Sequence, residues 1–304
     1  MNQNNGWMDI LTFTLVVVCS LFVAQFIALM CLLPLYNFNV DGVMLAINHP
    51  LTSPGIKMQM LFMQGLTSFI AFIVAPLGFI KWKEEKVVSF LYRELDPNPI
   101  LILLAVSVMV VSMPITSLLV EWNASLKLPP GFESIEMWAR EKEDFLKELT
   151  EMLTKLDNPL ELIVGLLVIA LIPAIGEELV FRGYLQNKIS RITKSPHLAI
   201  WMAAFLFSAI HFQFYGFLPR MMLGAMFGYL YFISGQFHLP VVAHFTNNGL
   251  TLFLIYLKNK GRINFDIESE ESIPVYVGLI SICLTVGLFM LIKSQLKEER
   301  LELQ

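Results

Sequence analysis

Long apolar stretches recur along nearly the whole chain, and each is about as long as a helix that crosses a bilayer. A hydrocarbon core about 30 Å thick needs roughly 20 apolar residues in helical conformation. Eight such stretches cover residues 7–35, 58–80, 99–120, 159–181, 198–215, 217–233, 239–257 and 274–292. Because lipid offers no partners to open backbone groups, and the alternating strands of an outer-membrane barrel are absent, the sequence predicts an all-α polytopic bundle of about eight transmembrane helices.

The composition agrees with a membrane protein and excludes several other classes. Of the 304 residues, 56% are apolar and only 15% are charged, whereas a soluble domain carries about 25% charged residues. The net charge of -4 and the absence of a basic block argue against a nucleic-acid partner. The three cysteines lie in apolar runs without CxxC spacing, so neither a disulfide framework nor a cysteine metal site is expected. The expected surroundings are membrane lipid.

The basic residues predict an orientation. Eight spans place both termini on one side, together with a loop containing Lys81, Lys83 and Lys86 and a turn containing Lys188 and Arg191. Since cytoplasmic loops are enriched in Lys and Arg, we expect an integral protein of the plasma (inner) membrane with both termini in the cytoplasm. We find no repeat, low-complexity tract or linker, which favours a single membrane domain over residues 1–304.

The longest polar segment, residues 121–158, is predicted to lie outside the membrane and to contain one amphipathic helix from about 134 to 156. Apolar residues recur near helical spacing, as Ile135, Trp138 and Phe145 do, while Glu141 and Glu148 occupy the other face. Two interpretations stay open, a helix that caps the bundle and a lid that controls substrate access.

The fourth apolar stretch ends in an acidic pair. Glu177 and Glu178 are adjacent, so on an α-helix their side chains point about 100° apart. Glu178 precedes Arg182 by four residues, which places the two on one face and favours an ion pair. An interfacial salt bridge alone would not require the second glutamate. Because ionisable groups inside the hydrocarbon cost at least about 2.5–3.5 kcal/mol, Glu177 is a functional candidate facing a cavity.

Two later stretches add imidazoles and an amide. His211 follows Phe207 by four residues, and His244 precedes Asn248 by four. Taken alone, His211 is more often a packing histidine, and His244 with Asn248 serves equally well as an interhelical hydrogen bond. Gly224 and Gly228 form a GxxxG step that is typical of close helix packing.

Together these residues favour activation of water against a carbonyl. A glutamate can accept a proton from water, a histidine can relay it, and histidine and asparagine donors can stabilise an oxyanion. Glu177, His211 and His244 could alternatively hold a divalent metal such as zinc, although no cofactor is certain. A proton relay in a transporter uses similar groups, but here they are confined to one half of the chain.

At these residues the sequence resembles the family of CAAX proteases and bacteriocin-processing enzymes (CPBP, also called Abi), which includes the Ras-converting prenyl-protein endopeptidases. Its motifs appear in order as EExxxR (Glu177, Glu178 and Arg182), FxxxH (ending at His211) and HxxxN (His244 and Asn248). The matched core runs from about 165 to 257. Each motif is short, but three in order on apolar stretches are specific.

The resemblance implies an intramembrane hydrolase of about eight helices that cleaves a peptide or protein substrate, in the eukaryotic branch near the C-terminus of prenylated proteins. It implies that Glu177 and His211 activate water, that His244 and Asn248 stabilise the oxyanion, and that the enzyme works as a metalloprotease or without metal. A non-catalytic scaffold or immunity protein is the alternative. Because consecutive spans are antiparallel, Glu177 and His211 can meet only if the fourth helix continues past Arg182 or the fifth begins deeper.

Overall fold

The computed structural model describes residues 3–84, 86–92, 98–263 and 273–302, and all regular structure within these ranges is helical. The predicted all-α fold is confirmed. In chain order the helices are α1 (Gln3–Leu32), α2 (Val40–Asn48), α3 (Ile56–Glu84), α4 (Val87–Leu91), α5 (Pro99–Ser125), α6 (Glu133–Thr154), α7 (Pro159–Thr193), α8 (Pro196–Ala209), α9 (Phe217–Ser234), α10 (His238–Asn259) and α11 (Val275–Glu302). The chain termini, on which the predicted orientation bears, lie partly outside the described residues.

Each of the eight predicted apolar stretches overlaps one helix over most of its length. Among the described residues, five helices are long and apolar enough to cross a membrane by themselves, namely α1, α3, α5, α7 and α11. The helix α8 is apolar but shorter. The chain is therefore an integral membrane protein with several spanning helices, and the number eight stays a prediction.

Two of the helix ends that differ from the predicted ends lie close to the motif residues. The helix α7 does not end near residue 181 but continues to Thr193, because Arg182 and Lys188, which resemble the polar end of a span, are buried. The helix α8 ends at Ala209 rather than near residue 215, since Phe212 has a left-handed backbone with φ of 52°. Aromatic residues after this point continue the apolar pattern although the helix has stopped. The extension of α7 meets the requirement stated for Glu177 and His211.

Three helices begin with the same local signal. Asn98, Asn158 and Ser195 each accept a hydrogen bond from a backbone N–H in the first turn of the following helix, and each is followed directly by proline. Such caps satisfy backbone donors that have no partner within the helix, and proline at the first position lacks that donor altogether. These caps fix where α5, α7 and α8 begin.

The chain divides into two compact units. The first contains the described residues of 3–84, 144–179 and 248–263, and the second those of 86–143, 180–247 and 273–302. Three helices, α6, α7 and α10, contribute residues to both units among the part of the chain that the structure describes. That the whole chain is one domain stays a prediction.

Small residues allow the helices of the first unit to approach closely. A methyl group added at Gly65 of α3 would lie 3.1 Å from Val168 of α7, and one at Gly165 would lie 3.0 Å from Leu156. A separate cluster of buried apolar residues joins α1, α2 and α3, and consists of Ala28, Leu32, Val43 and Met63. Without a strong hydrophobic force between helices in lipid, such close packing supplies much of their association.

The second unit has a larger apolar core. Its buried members come from α5, α9, α10 and α11 and include Leu101, Ala105, Leu230, Leu239 and Ile292. The GxxxG step of α9 packs against α8 as predicted, because a methyl group at Gly228 would lie 2.9 Å from Ile200 Cγ2. The same position would approach the Gln186 Oε1 atom at 2.8 Å, so this glycine also makes room for a buried polar side chain.

The predicted amphipathic helix is present as α6. The end of its apolar face is covered, with Leu156, just beyond the helix, only 1% exposed. Nearer its start Ile135 and Trp138 are more than half exposed. Glu136 pairs with Arg140 through two guanidinium nitrogens, the shorter contact being 2.8 Å. This pairing, with the Leu128 N–H as a second donor, lowers the pKa of Glu136.

Candidate functional site

Glu177 and Glu178 lie in the middle of α7, where the helix packs tightly against α3. A methyl group at the preceding Gly176 would lie 2.7 Å from Phe72 Cβ and 3.3 Å from Ile73 Cγ1. The glycine therefore holds this turn of α7 against α3, as only a residue without a side chain can. Glu178 is fully buried and Glu177 is partly exposed. One acid of the pair is therefore partly accessible, and its neighbour is enclosed.

The winding of α7 changes on both sides of this acidic turn. Residues Leu166–Leu171 and Leu179–Gln186 form π-helical turns, and Ile172–Glu178 between them is α-helical. Because the π winding begins directly after Glu178, the α-helical spacing that favours its pairing with Arg182 does not hold there, and the pairing stays a prediction. π-Turns within helices are frequent at functional sites.

Asn248 belongs to the same unit and reaches the same helix. Its Nδ2 donates to the carbonyl oxygen of Ile169 over 3.3 Å. Ile169 lies within the first π-helical turn and precedes Glu177 by eight residues on α7. The predicted amide is therefore anchored by α7, the helix that carries the glutamates.

Arg182 lies in the second unit and is completely buried. Its Nη2 donates to the carbonyl oxygen of Gly224 over 2.7 Å. The guanidinium carbon is 4.7 Å from the centroid of the Phe207 ring and 5.3 Å from that of Phe227. A charge removed from water requires such compensation, and guanidinium groups stack favourably on aromatic faces.

His244 is held by the same two rings. The imidazole stacks on Phe227, with centroids 4.9 Å apart and planes inclined by only 12°. Phe207 meets it edge to face at 5.9 Å. The side chain is 4% exposed. Phe207 and Phe227 together orient both the buried arginine and the buried histidine, and we refer to these four residues as the aromatic cluster.

His211 lies two residues beyond the end of α8, in the loop that leads to α9. Its Nδ1 is 2.8 Å from the carbonyl oxygen of Phe207. A carbonyl can only accept, so in the neutral imidazole the proton must be on Nδ1, and Nε2 carries the lone pair. The ring also contacts the Phe207 ring edge to face at 5.3 Å. Partial exposure makes this histidine accessible in a way that His244 is not.

The predicted residues are thus gathered in two groups. Within the second unit, Arg182, His211 and His244 surround one ring, that of Phe207. Within the first unit, the glutamates lie on α7, and Asn248 of α10 donates to a backbone carbonyl of α7. That Glu177 lies beside His211 and His244 stays a prediction.

Sequence reasoning missed Phe227 in this site. Nothing in the local pattern distinguishes it among the 24 phenylalanines of the chain, although it lies in the GxxxG segment between Gly224 and Gly228.

A metal ion needs several donor side chains close together. Among the residues that the structure describes, no group of three or more His, Cys, Asp or Glu side chains is arranged to hold one. A metal ion held by Glu177, His211 and His244 stays a prediction.

The fold and these residues define an integral membrane protein with ionisable groups buried among its helices. Residues 159–250, less than a third of the chain, match the family described as type II CAAX prenyl endopeptidase Rce1-like. The predicted resemblance is thereby confirmed, and the matched segment carries all three motifs.

A curated relative and the solved structures complete the comparison. The chain is 27% identical over 112 residues to "Uncharacterized protein YpbD" of Bacillus subtilis (strain 168). The aligned region covers 35% of this chain and 54% of that protein. The chain thus matches about half the length of that relative. No solved structure matches it significantly.

Proposed function

We propose that the chain is an intramembrane endopeptidase of the CAAX-protease type, which hydrolyses a peptide bond with water activated by Glu177 and His211. The observation that carries this proposal is the Nδ1 contact of His211 with the Phe207 carbonyl oxygen at 2.8 Å. It fixes the tautomer, so that Nε2 carries the lone pair that can accept a proton. A partly exposed imidazole held in this way is suited to proton transfer.

In the proposed reaction, the Glu177 carboxylate accepts a proton as the oxygen of water forms a bond to the scissile carbonyl carbon. The carbonyl oxygen takes up negative charge, which His244 and Asn248 stabilise by donating hydrogen bonds. The C–N bond then breaks, and the proton passes to the leaving amine, with His211 assisting its transfer. Glu178 and Arg182 act as supporting residues that hold α7 and the aromatic cluster in place.

The substrate proposed is a peptide or protein that reaches the membrane. A prenylated C-terminus of the CAAX type is one candidate, since the matched family is described as CAAX prenyl endopeptidases. A leader peptide or bacteriocin precursor is the other. Both bring a flexible segment to the lipid surface, where a site inside the membrane can receive it.

The test uses the purified full-length protein in liposomes with a prenylated CAAX peptide and a leader-peptide library. We expect the wild type to cleave one of these classes, with the cut site located by mass spectrometry. Glu177→Gln keeps the shape of the side chain but cannot accept the proton, so we expect turnover to fall by about 10²–10⁴-fold. Its unfolding midpoint should stay that of the wild type.

Full activity in Glu177→Gln would overturn the proposal. If no peptide is cleaved and cells that carry Glu177→Gln keep the wild-type phenotype, the chain would instead act as a non-catalytic scaffold or immunity protein. Parallel assays with a strong chelator, followed by added zinc, determine whether a metal takes part. Uptake of a solute into the liposomes without cleavage would indicate a transporter.

A further inference from the structure

The loop at 210–216, which carries His211, connects α8 and α9, and its backbone hydrogen bonds are local turns to residues three or four positions away. The His211 N–H donates to Ser208 O over 3.3 Å, and the Ser208 hydroxyl donates to Phe217 O over 2.6 Å. The left-handed Phe212 interrupts any continuation of α8. Because loops lack a regular hydrogen-bond ladder, the position of this one depends on side chains from other elements.

The last turn of α5 supports the far end of this loop. Asn123, which is 1% exposed, donates through Nδ2 to Phe214 O over 3.1 Å. Its Oδ1 accepts from the backbone N–H of Leu218 over 2.8 Å. The buried amide of Asn123 thus attaches the end of the loop and the start of α9 to the last turn of α5.

The helix α6 supports the middle of the loop. Gln213 donates through Nε2 to the Glu143 Oε1 atom of α6 over 3.3 Å, and its Oε1 accepts from Arg220 Nη2 over 2.6 Å. One turn earlier on α6, the Arg140 guanidinium lies 4.5 Å from the centroid of the Tyr215 ring. The loop is therefore attached to the extramembrane helix at two places, both in the second unit.

We infer that Gln213 is a positioning residue for His211, and that α6 is the element on which it rests. The inference depends on the proposed function, in which His211 takes part in the reaction. Gln213 follows His211 by two residues and uses both ends of its amide, so its orientation is fixed by Glu143 and Arg220 together. Since misplacement of a reacting group by about 1 Å can cost about 10²-fold in rate, this support matters for turnover.

This assignment differs from both interpretations of the 121–158 segment that the sequence left open. A cap would only cover the bundle, and a lid would contact the substrate. The contacts of Gln213 and Tyr215 instead make α6 part of the framework that holds a reacting side chain, with no contact to substrate required. Sites are more precise when such supporting side chains are themselves held.

The experiment measures amide hydrogen exchange of residues 210–216 and steady-state kinetics in the same variants. Gln213→Ala and Glu143→Ala remove the link, Glu143→Gln keeps an acceptor oxygen, and Glu141→Ala removes an exposed charge from the same helix as the matched control. We expect the first two variants to exchange about tenfold faster in this loop. Their kcat should fall about tenfold with KM within about twofold, while Glu143→Gln and Glu141→Ala stay near the wild type.

Two results would overturn the inference. One is unchanged exchange of the loop in both Gln213→Ala and Glu143→Ala. The other is faster exchange with kcat unchanged, which would leave Gln213 a purely structural role. If the wild type cleaves no peptide, the proposed function fails by itself, and the exchange data then decide whether α6 supports the loop.

Discussion

Charged side chains occupy two contrasting environments in this protein. In the first unit, Lys57 lies 2.5 Å from Glu161 and 3.7 Å from Asp157, and these three side chains are 21%, 19% and 67% exposed. We call them the rim cluster. In the second unit, Arg182 of the aromatic cluster is completely buried.

The difference lies in how exposed each charge is. Every member of the rim cluster is at least 19% exposed, and Glu161 also accepts from the Asp157 N–H and from Asn158 Nδ2. Arg182 is fully buried, and its contacts include the Gly224 carbonyl and two ring faces. An exposed ion pair contributes little to stability, whereas a buried guanidinium is costly unless every contact is made. We therefore expect mutations in the two environments to change the stability of the protein by unequal amounts.

The largest effect is expected at Arg182. Arg182→Ala removes a charge-assisted hydrogen bond and leaves a cavity between two rings, so we expect the free energy of unfolding to fall by about 3–5 kcal/mol. Arg182→Lys should recover only part of this loss, because an ammonium cannot stack as a planar group. Thermal unfolding of the purified protein in detergent measures both.

Arg262, which is exposed, provides the matched control. Arg262→Ala removes the same side chain and should leave the unfolding midpoint unchanged. Equal midpoints for Arg182→Ala and Arg262→Ala would contradict the contrast between buried and exposed charge.

An intermediate effect is expected at Phe227. Its ring fixes the plane of His244 by stacking, so Phe227→Leu should retain most of the apolar contact while releasing the imidazole. We expect kcat of the proposed peptidase to fall about tenfold, equivalent to about 1.4 kcal/mol, with KM little changed. Phe227→Tyr retains the ring and should restore most of the rate, which is measured on the cleaved peptide.

Phe205→Leu is the control for this variant, because Phe205 is 53% exposed and belongs to neither histidine contact. A rate in Phe227→Leu equal to that of Phe205→Leu would show that the stacked ring does not orient His244.

The course of the helices could be predicted from the sequence, because about 20 apolar residues in a row have few other ways to satisfy their backbone in lipid. The ends of α7 and α8 could not. Lys188 is a residue type expected at the polar end of a span, but it is only 2% exposed. Phe212 is a residue type expected inside a span, but its backbone is left-handed. Both outcomes depend on neighbours that are distant in the chain.

The candidate site divides in the same way. Residue type and four-residue spacing single out His211, His244 and Asn248 as candidates, because the proposed chemistry uses such groups, and their roles stay predictions. Their supports were not predictable. Phe227 is one phenylalanine among many, and Asn123 contacts Phe214 from 91 positions away. Such residues carry no local signal, since their role arises only when the helices pack.

The smallest effect is expected in the rim cluster. Lys57→Met removes the ammonium that meets Glu161 and that also donates to the Lys155 carbonyl oxygen over 2.8 Å. Because Glu161 keeps two other donors, we expect the free energy of unfolding to fall by less than about 1 kcal/mol. In about 1 M NaCl, where the Debye length is about 3 Å, the difference from wild type should shrink further. Unfolding midpoints of both proteins at low and high salt measure this, and a loss in Lys57→Met as large as that in Arg182→Ala would remove the distinction between the two environments.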